Sequence, residues 1–162
     1  MKQFLILALS LFLGSLAYAP DVPQSKLPQQ EQCHALNAYY EARSEGIKGM
    51  MAVIKVVNNR VKASGYPSTP CGVIFQRKQF SWTHQQSYKA IDALLMGDTT
   101  GLNSREIQAY NTALILAYSS DLELAKVLPE AALYYHTKDV RPAWSSTFKR
   151  IKVLGVHIFY SK

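Results

Sequence analysis

Two cysteines occur in the 162-residue chain. That is too few for a four-cysteine zinc site, so a zinc ribbon is excluded. Neither Ser81 nor Ser145 lies in a Gly-x-Ser-x-Gly context, so neither sits on a nucleophile elbow. The chain has no His-Glu-x-x-His or His-x-x-Glu-His spacing and no glycine-rich loop able to cradle a phosphate. Internal repeats and low-complexity tracts are absent. Acidic residues are scarce: eleven Asp and Glu stand against eighteen Lys and Arg, a net charge of +7. Beyond the N-terminus no apolar run is long enough to span a bilayer.

What is present is a globular composition, 48% hydrophobic, 18% charged and 11% aromatic. It excludes disordered, collagen-like and coiled-coil chains, and the length suits one domain. Lys2 precedes an uncharged apolar run over residues 4–13, and Ala17-Tyr18-Ala19 closes it. This order reads as a secretory signal peptide over residues 1–19. Pro20 disfavours a cut at Ala19, and Ser15-Leu16-Ala17 offers another. An uncleaved, releasable anchor is the rival reading, although the segment is shorter than the roughly 20 residues of a membrane span. Export places Cys33 and Cys71 in an oxidising compartment, where a disulfide is the default and two buried thiols the alternative.

Residues 20–30 carry Pro23 and Pro28 among polar neighbours and read as a linker, leaving a domain over residues 31–162. Apolar spacing predicts helices over 31–43, 49–61, 88–96 and from Asn103 or Ser104 to about Tyr118. Residues 71–75 suit helix or strand. Residues 131–136, 149–153 and 156–160 are short and apolar or aromatic, with Leu154-Gly155 between the last two as in a hairpin. The expected class is α+β, mainly helical, with a small antiparallel sheet near the C-terminus.

Glu41 follows two tyrosines. Withdrawal from water there raises a carboxyl pKa, as a general acid near neutral pH requires. Glu45 stands four residues on, where like charges repel and raise a pKa again. The competing reading makes both surface charges paired with Arg43 or Lys48. Three aromatic-polar clusters, around Phe80 and Trp82, around Tyr135, His136 and Trp144, and around His157, offer ring faces for sugars or close the edge of a core. Glu41, His136 and His157 are the one trio that types as a three-ligand zinc site, without a supporting spacing. Residues 138–162 hold six basic residues against Asp139 alone, which suits an anionic polymer or a solvated face. Exported chains meet little nucleic acid, so cell-surface polymers are the nearer partners.

These segments form an ordered set. Cys33-His34-Ala35-Leu36-Asn37-Ala38-Tyr39-Tyr40-Glu41-Ala42-Arg43 is followed by Ala52-Val53-Ile54 and Val57-Asn58-Asn59-Arg60-Val61. Next come Tyr66-Pro67, Cys71-Gly72-Val73-Ile74-Phe75 and Gln79-Phe80-Ser81-Trp82. Ala132-Leu133-Tyr134-Tyr135-His136, Val140-Arg141-Pro142-Ala143-Trp144 and Gly155-Val156-His157-Ile158-Phe159-Tyr160 complete it. In this order the chain resembles the SleB/CwlJ-type cell-wall hydrolases. The resemblance implies a lysozyme-like α+β domain that cuts the MurNAc–GlcNAc bond of peptidoglycan as a lytic transglycosylase or muramidase, as in an endolysin. It implies Glu41 as the catalytic acid, no cofactor or metal, and a sugar cleft lined by Phe80, Trp82, Tyr135, His136, Trp144 and His157. It also implies a monomer, exported to the periplasm or cell wall, that touches membrane only through its N-terminus. Two departures stand out. Ser44 replaces the family's usual Gly, and Lys78 and His84 stand where many members carry an extra cysteine pair, leaving Cys33–Cys71 as the available bridge. The rival activities are a zinc-dependent N-acetylmuramoyl-L-alanine amidase and a non-catalytic peptidoglycan-binding module.

Overall fold

A computed structural model describes residues 29–162. The signal peptide expected over 1–19 and most of the linker expected over 20–30 lie outside the described residues. The first helix, α1 (Gln29–Ala42), starts two residues before the end of that expected linker. It is followed by α2 (Gly46–Lys62), α3 (Pro70–Ile74), α4 (Trp82–Gln85), α5 (Tyr88–Leu95), α6 (Ser104–Leu116) and α7 (Asp121–Val127). Three strands close the chain: β1 (Tyr134–Thr137), β2 (Lys149–Leu154) and β3 (His157–Ser161). This is the mainly helical α+β class expected.

Helix α1 is the hub. Every residue from Cys33 to Tyr39 is buried, because α2, α3 and α6 surround it. A helix enclosed on all sides needs small or apolar residues all round, and Ala35, Leu36, Ala38 and Ala42 supply them. The valines of α2 settle as helix because Val53, Val56 and Val57 fall on its buried face. Of residues 71–75, open between helix and strand, the first four lie in α3 and Phe75 is its C-cap; Thr69 caps the start by accepting from the Gly72 backbone. A Cys33–Cys71 disulfide joins α1 to α3. The sequence reading missed α7, yet Ser120 and Glu123 form a complete capping box at its start.

The sheet is antiparallel in the order β1-β3-β2. Tyr135 pairs with Phe159 and Tyr134 with Tyr160, which sorts the side chains to two faces. Phe159 packs with Ala52 and Val56 of α2. On the other face Trp144 packs against Tyr134, Phe148 and Tyr160. Polar side chains of α2 pin the approach to β1. Asn59 donates from Nδ2 to the carbonyls of Pro129 and Ala132 at 3.0 and 2.9 Å, and Arg60 Nε donates to that of Leu133 at 2.8 Å.

His34 is buried between α1 and α2, and burial depresses its imidazole to about 4, against weaker raising effects from Asn58 and Asp121. The unfolded chain therefore binds a proton from pH 6.5 downward that the folded chain refuses until about 4. The stability this contributes is complete above 6.5 and is lost as pH falls through that window, on the order of 3 kcal/mol. Comparing urea midpoints of the wild type and His34→Gln at pH 7 and pH 4.5 checks this. The wild type should lose more stability between the two pH values, and equal losses would remove His34 from the account.

Candidate active site

The C-terminal turn of α1 carries Glu41 into a cleft of about 410 Å³ bordered by residues 78–81 and His84, by Arg60 of α2 and by Tyr135, His136, Thr137 and His157. Tyr135 donates its hydroxyl to Glu41 Oε2 at 2.9 Å. Removal from water pushes the Glu41 carboxyl above its ordinary value. The Tyr135 hydrogen bond and the Arg60 charge pull back, and Glu45 adds a smaller upward push. Burial, the Glu41 charge and the Glu41 hydrogen bond raise the Tyr135 phenol well above its usual range, so it stays a donor. Glu41 Oε1 has no hydrogen-bond partner among the described residues.

Glu45 is not the surface charge that one reading made of it. Its side chain is 4% exposed and His157 Nδ1 lies 2.6 Å from Oε1. Oε2 accepts from the Val156 backbone at 3.0 Å. Helix α1 ends at Ala42 and α2 starts at Gly46, which takes φ +67, so Glu45 lies in the connector between them with its carboxylate against the β2–β3 hairpin. Gly155 completes the clamp: it sits at φ +54, and a Cβ there would overlap Glu45 Oε2. Burial holds the His157 imidazole below its ordinary value despite the nearby carboxylate. Its ring meets Tyr135 edge-on at 4.9 Å. The Glu45–His157 contact thus backs the tyrosine that holds Glu41. Ser44 replaces the family's usual glycine without strain, because the positive φ in this turn falls on Gly46.

Of the six side chains expected along the cleft, Phe80, Tyr135, His136 and His157 border it. Trp82 does not. It is 3% exposed, stacks on Tyr40 and donates from Nε1 to Asn37 Oδ1 at 2.9 Å. Trp144 does not either, since it lies in the aromatic cluster on the far face of the sheet. His136 has both ring nitrogens engaged, Nε2 with the Tyr160 hydroxyl and Nδ1 with the Thr137 carbonyl. His157 is turned to Glu45. Glu41, His136 and His157 therefore do not converge on a point where an ion could sit.

Arg60 was missed as a site residue. Its guanidinium lies 5.4 Å from the Phe80 ring centroid and 5.6 Å from that of Tyr66, and Nη1 has no protein partner. The signal was available: an arginine at helical spacing on the valine face of α2. Lys78 and His84, the positions of the absent cysteine pair, both reach this cleft.

The model of the family described as Cell Wall Hydrolase matches residues 44–160. The chain belongs to the cell wall hydrolase family. The matched span begins three residues after Glu41. The chain is similar to the spore cortex-lytic enzyme of Bacillus cereus, 28% identical over 150 residues covering 86% of this chain and 47% of that protein. The spore cortex-lytic enzyme of Oceanobacillus iheyensis is 29% identical over 147 residues, covering 86% of this chain and 44% of that protein. The chain thus spans about half the length of the curated relatives it matches. Among solved structures, the catalytic domain of the germination-specific lytic transglycosylase SleB from Bacillus anthracis aligns with a TM-score of 0.50 at 26% identity. That alignment covers 88% of this chain and all of that domain. The fold is the lysozyme-like one of this cell wall hydrolase family.

Proposed function

We propose that this family member cleaves the glycosidic bond between N-acetylmuramic acid and N-acetylglucosamine in peptidoglycan as a lytic transglycosylase, with Glu41 as acid and then base. One observation carries the reading: among the described residues, Glu41 is the only acidic side chain lining the cleft. Two-carboxylate glycosidases place a second acid across the bond, as nucleophile or as base for water. Glu45, the nearest candidate in sequence, is tied to His157 and Val156 instead. A single carboxylate suits a route in which the substrate supplies its own nucleophile.

In that route desolvation, which raises the Glu41 carboxyl above its ordinary value, favours the protonated form an acid needs. The Tyr135 hydrogen bond fixes Oε2 and leaves Oε1 to carry the transferable proton. Oε1–H protonates the bridging oxygen, the bond breaks, and an oxocarbenium-like sugar develops. The new carboxylate, stabilised by Tyr135 and Arg60, then takes the proton of the muramic 6-hydroxyl as that oxygen closes on C1. Arg60 is buried beside the cleft, so it acts on the Glu41 carboxylate through its charge. The similar Bacillus proteins, a spore cortex-lytic enzyme and a germination-specific lytic transglycosylase, support the substrate class. On this reading the protein works outside the cytoplasm, because its substrate lies in the cell wall.

Mass spectrometry of soluble products from purified sacculi tests the reading. The expected muropeptides are lighter by one water than hydrolysis products and lack a reducing end. Reducing muramic ends indicate a muramidase, and intact glycan with released stem peptides indicates an amidase; either result overturns the proposal.

A further inference from the structure

A second, larger groove of about 470 Å³ lies on the other side of the α1 C-terminal turn from Glu41. In sequence, the α4 segment lies between residues that border the two depressions. Ser81 and His84 border the catalytic cleft, and Gln86 and Ser87, just past α4, border the groove. The groove has an apolar strip at Leu102 and the Tyr40 ring, with charges of both signs around it. Arg43 and Lys89 are exposed there. Arg43 lies over the Tyr39 ring at 5.0 Å, and among the described residues neither cation has an acidic side chain within ion-pair distance. Asp98 and Glu106 also line the groove. Each engages one oxygen locally, with Thr100 and with the Asn103 backbone respectively, and the other oxygen has no partner among the described residues.

Building on the glycan-strand reading, we propose that this groove binds the stem peptide carried by a muramic residue of the bound strand. Two unpaired cations beside two half-engaged carboxylates match a ligand bearing both carboxylates and an amine. A stem peptide with an acidic residue and a diamino acid has that chemistry, and a bare glycan does not. Reach is sufficient. Crossing a helix such as α4 is a distance of about 10 Å, and four extended residues span roughly 13 Å. A peptide attached to a sugar in the cleft can therefore pass over α4 and enter the groove.

The test compares intact peptide-bearing glycan strands with strands stripped of peptide by an amidase. Lys89→Glu sits on exposed α5, away from the Glu41 cleft. Its KM on peptide-bearing strands should rise about fivefold at low salt, as loss and reversal of an exposed charge contact predicts. Its kcat, and its KM on stripped strands, should match the wild type, the pattern of a contact kept equally in ground and transition states. Equal KM values for wild type and variant on both substrates overturn the groove. A second measurement does not depend on turnover. A synthetic stem tetrapeptide without sugar, titrated into Glu41→Gln protein, should shift the amide resonances of Arg43, Lys89 and Leu102, and no shift there overturns the proposal. Failure of the wild type to cut either strand, with the shifts present, rejects the glycosidase reading and keeps the groove.

Discussion

Glu41→Gln is expected to lower kcat on peptidoglycan by about 10³-fold or more while the protein stays folded. Glutamine has the same shape, and its amide oxygen still accepts the Tyr135 hydroxyl that Glu41 Oε2 accepts now. What it lacks is a proton to give the bridging oxygen and a lone pair basic enough to take one back. KM should move little, since the side chain's volume in the cleft is unchanged. Stability supplies an independent readout. Burial raises the Glu41 carboxyl above its ordinary value, so between that value and the raised one the folded chain binds more protons than the unfolded chain. Stability from this group therefore falls as pH rises through the window. Glutamine removes that slope, so the variant should gain on the wild type in melting temperature between pH 4 and pH 7. Calorimetry at the two pH values, with turnover of dye-released peptidoglycan, checks both. A variant within tenfold of wild-type kcat would falsify the acid role.

The helices were legible because their apolar spacing is regular and their ends are marked. Asn103 and Glu106 write the start of α6 as a capping box, and Gly97 follows α5 at φ +80. The same marks stood at Ser120 and Glu123, but the seven-residue α7 has too few turns for a periodic pattern to emerge. The position after Tyr39 and Tyr40 left Glu41 open between a shielded acid and a surface charge, and the structure buries it against Tyr135, 94 residues away. Glu45 was misjudged for a definite reason. Spacing of i and i+4 assumes an unbroken helix, and α1 ends at Ala42, between Glu41 and Glu45. Its partner in the hairpin is reached only by folding, since Val156 is 111 residues on. Trp82 and Trp144 were assigned to the cleft because an aromatic side chain reads alike whether it meets a sugar or another ring. Trp82 was claimed by Tyr40 and Asn37, Trp144 by Tyr134 and Phe148. Which face of a strand meets solvent is decided by what packs on it, and local sequence does not carry that.

The cleft is built from two ends of the chain, and its two walls are held by different means. Glu41 comes from the last turn of α1 and Glu45 from the connector that leads into α2. Tyr135 and His157 come from a three-stranded sheet that α2 supports through Asn59 and Arg60. Arg60 is shared, since its Nε anchors the backbone before β1 and its charge steadies the Glu41 carboxylate. That sharing explains a charged residue at a buried position: hydrogen bonding and contact with the Tyr66 and Phe80 rings offset its loss of hydration.

Removing the Cys33–Cys71 disulfide by a Cys33→Ala/Cys71→Ala double substitution should destabilise the domain without disabling it. The bond joins residues separated by 38 positions. Releasing a loop of that length frees the unfolded chain by about 4 kcal/mol in the loop-entropy model. For a domain of this size the loss lowers the melting temperature by about 10–15 °C. The bridge ties the first turns of α1 to α3, and Cys71 is also held by its backbone N–H donating to Gln30 Oε1 at 3.0 Å. The α1–α3 contact should therefore survive in the native state. Glu41 lies two turns further along α1, about 12 Å from Cys33. It is located by Tyr135 and by the Glu45 clamp rather than by the sulfurs. At 20 °C, well below the lowered transition, kcat should stay within about threefold of the wild type. Thermal melts and turnover of the oxidised wild type and the double variant decide the matter. A melting point unchanged within 2–3 °C would mean the bond does not constrain the unfolded chain as loop closure requires. A collapse of kcat with the fold intact would mean the α1–α3 tether reaches the cleft after all.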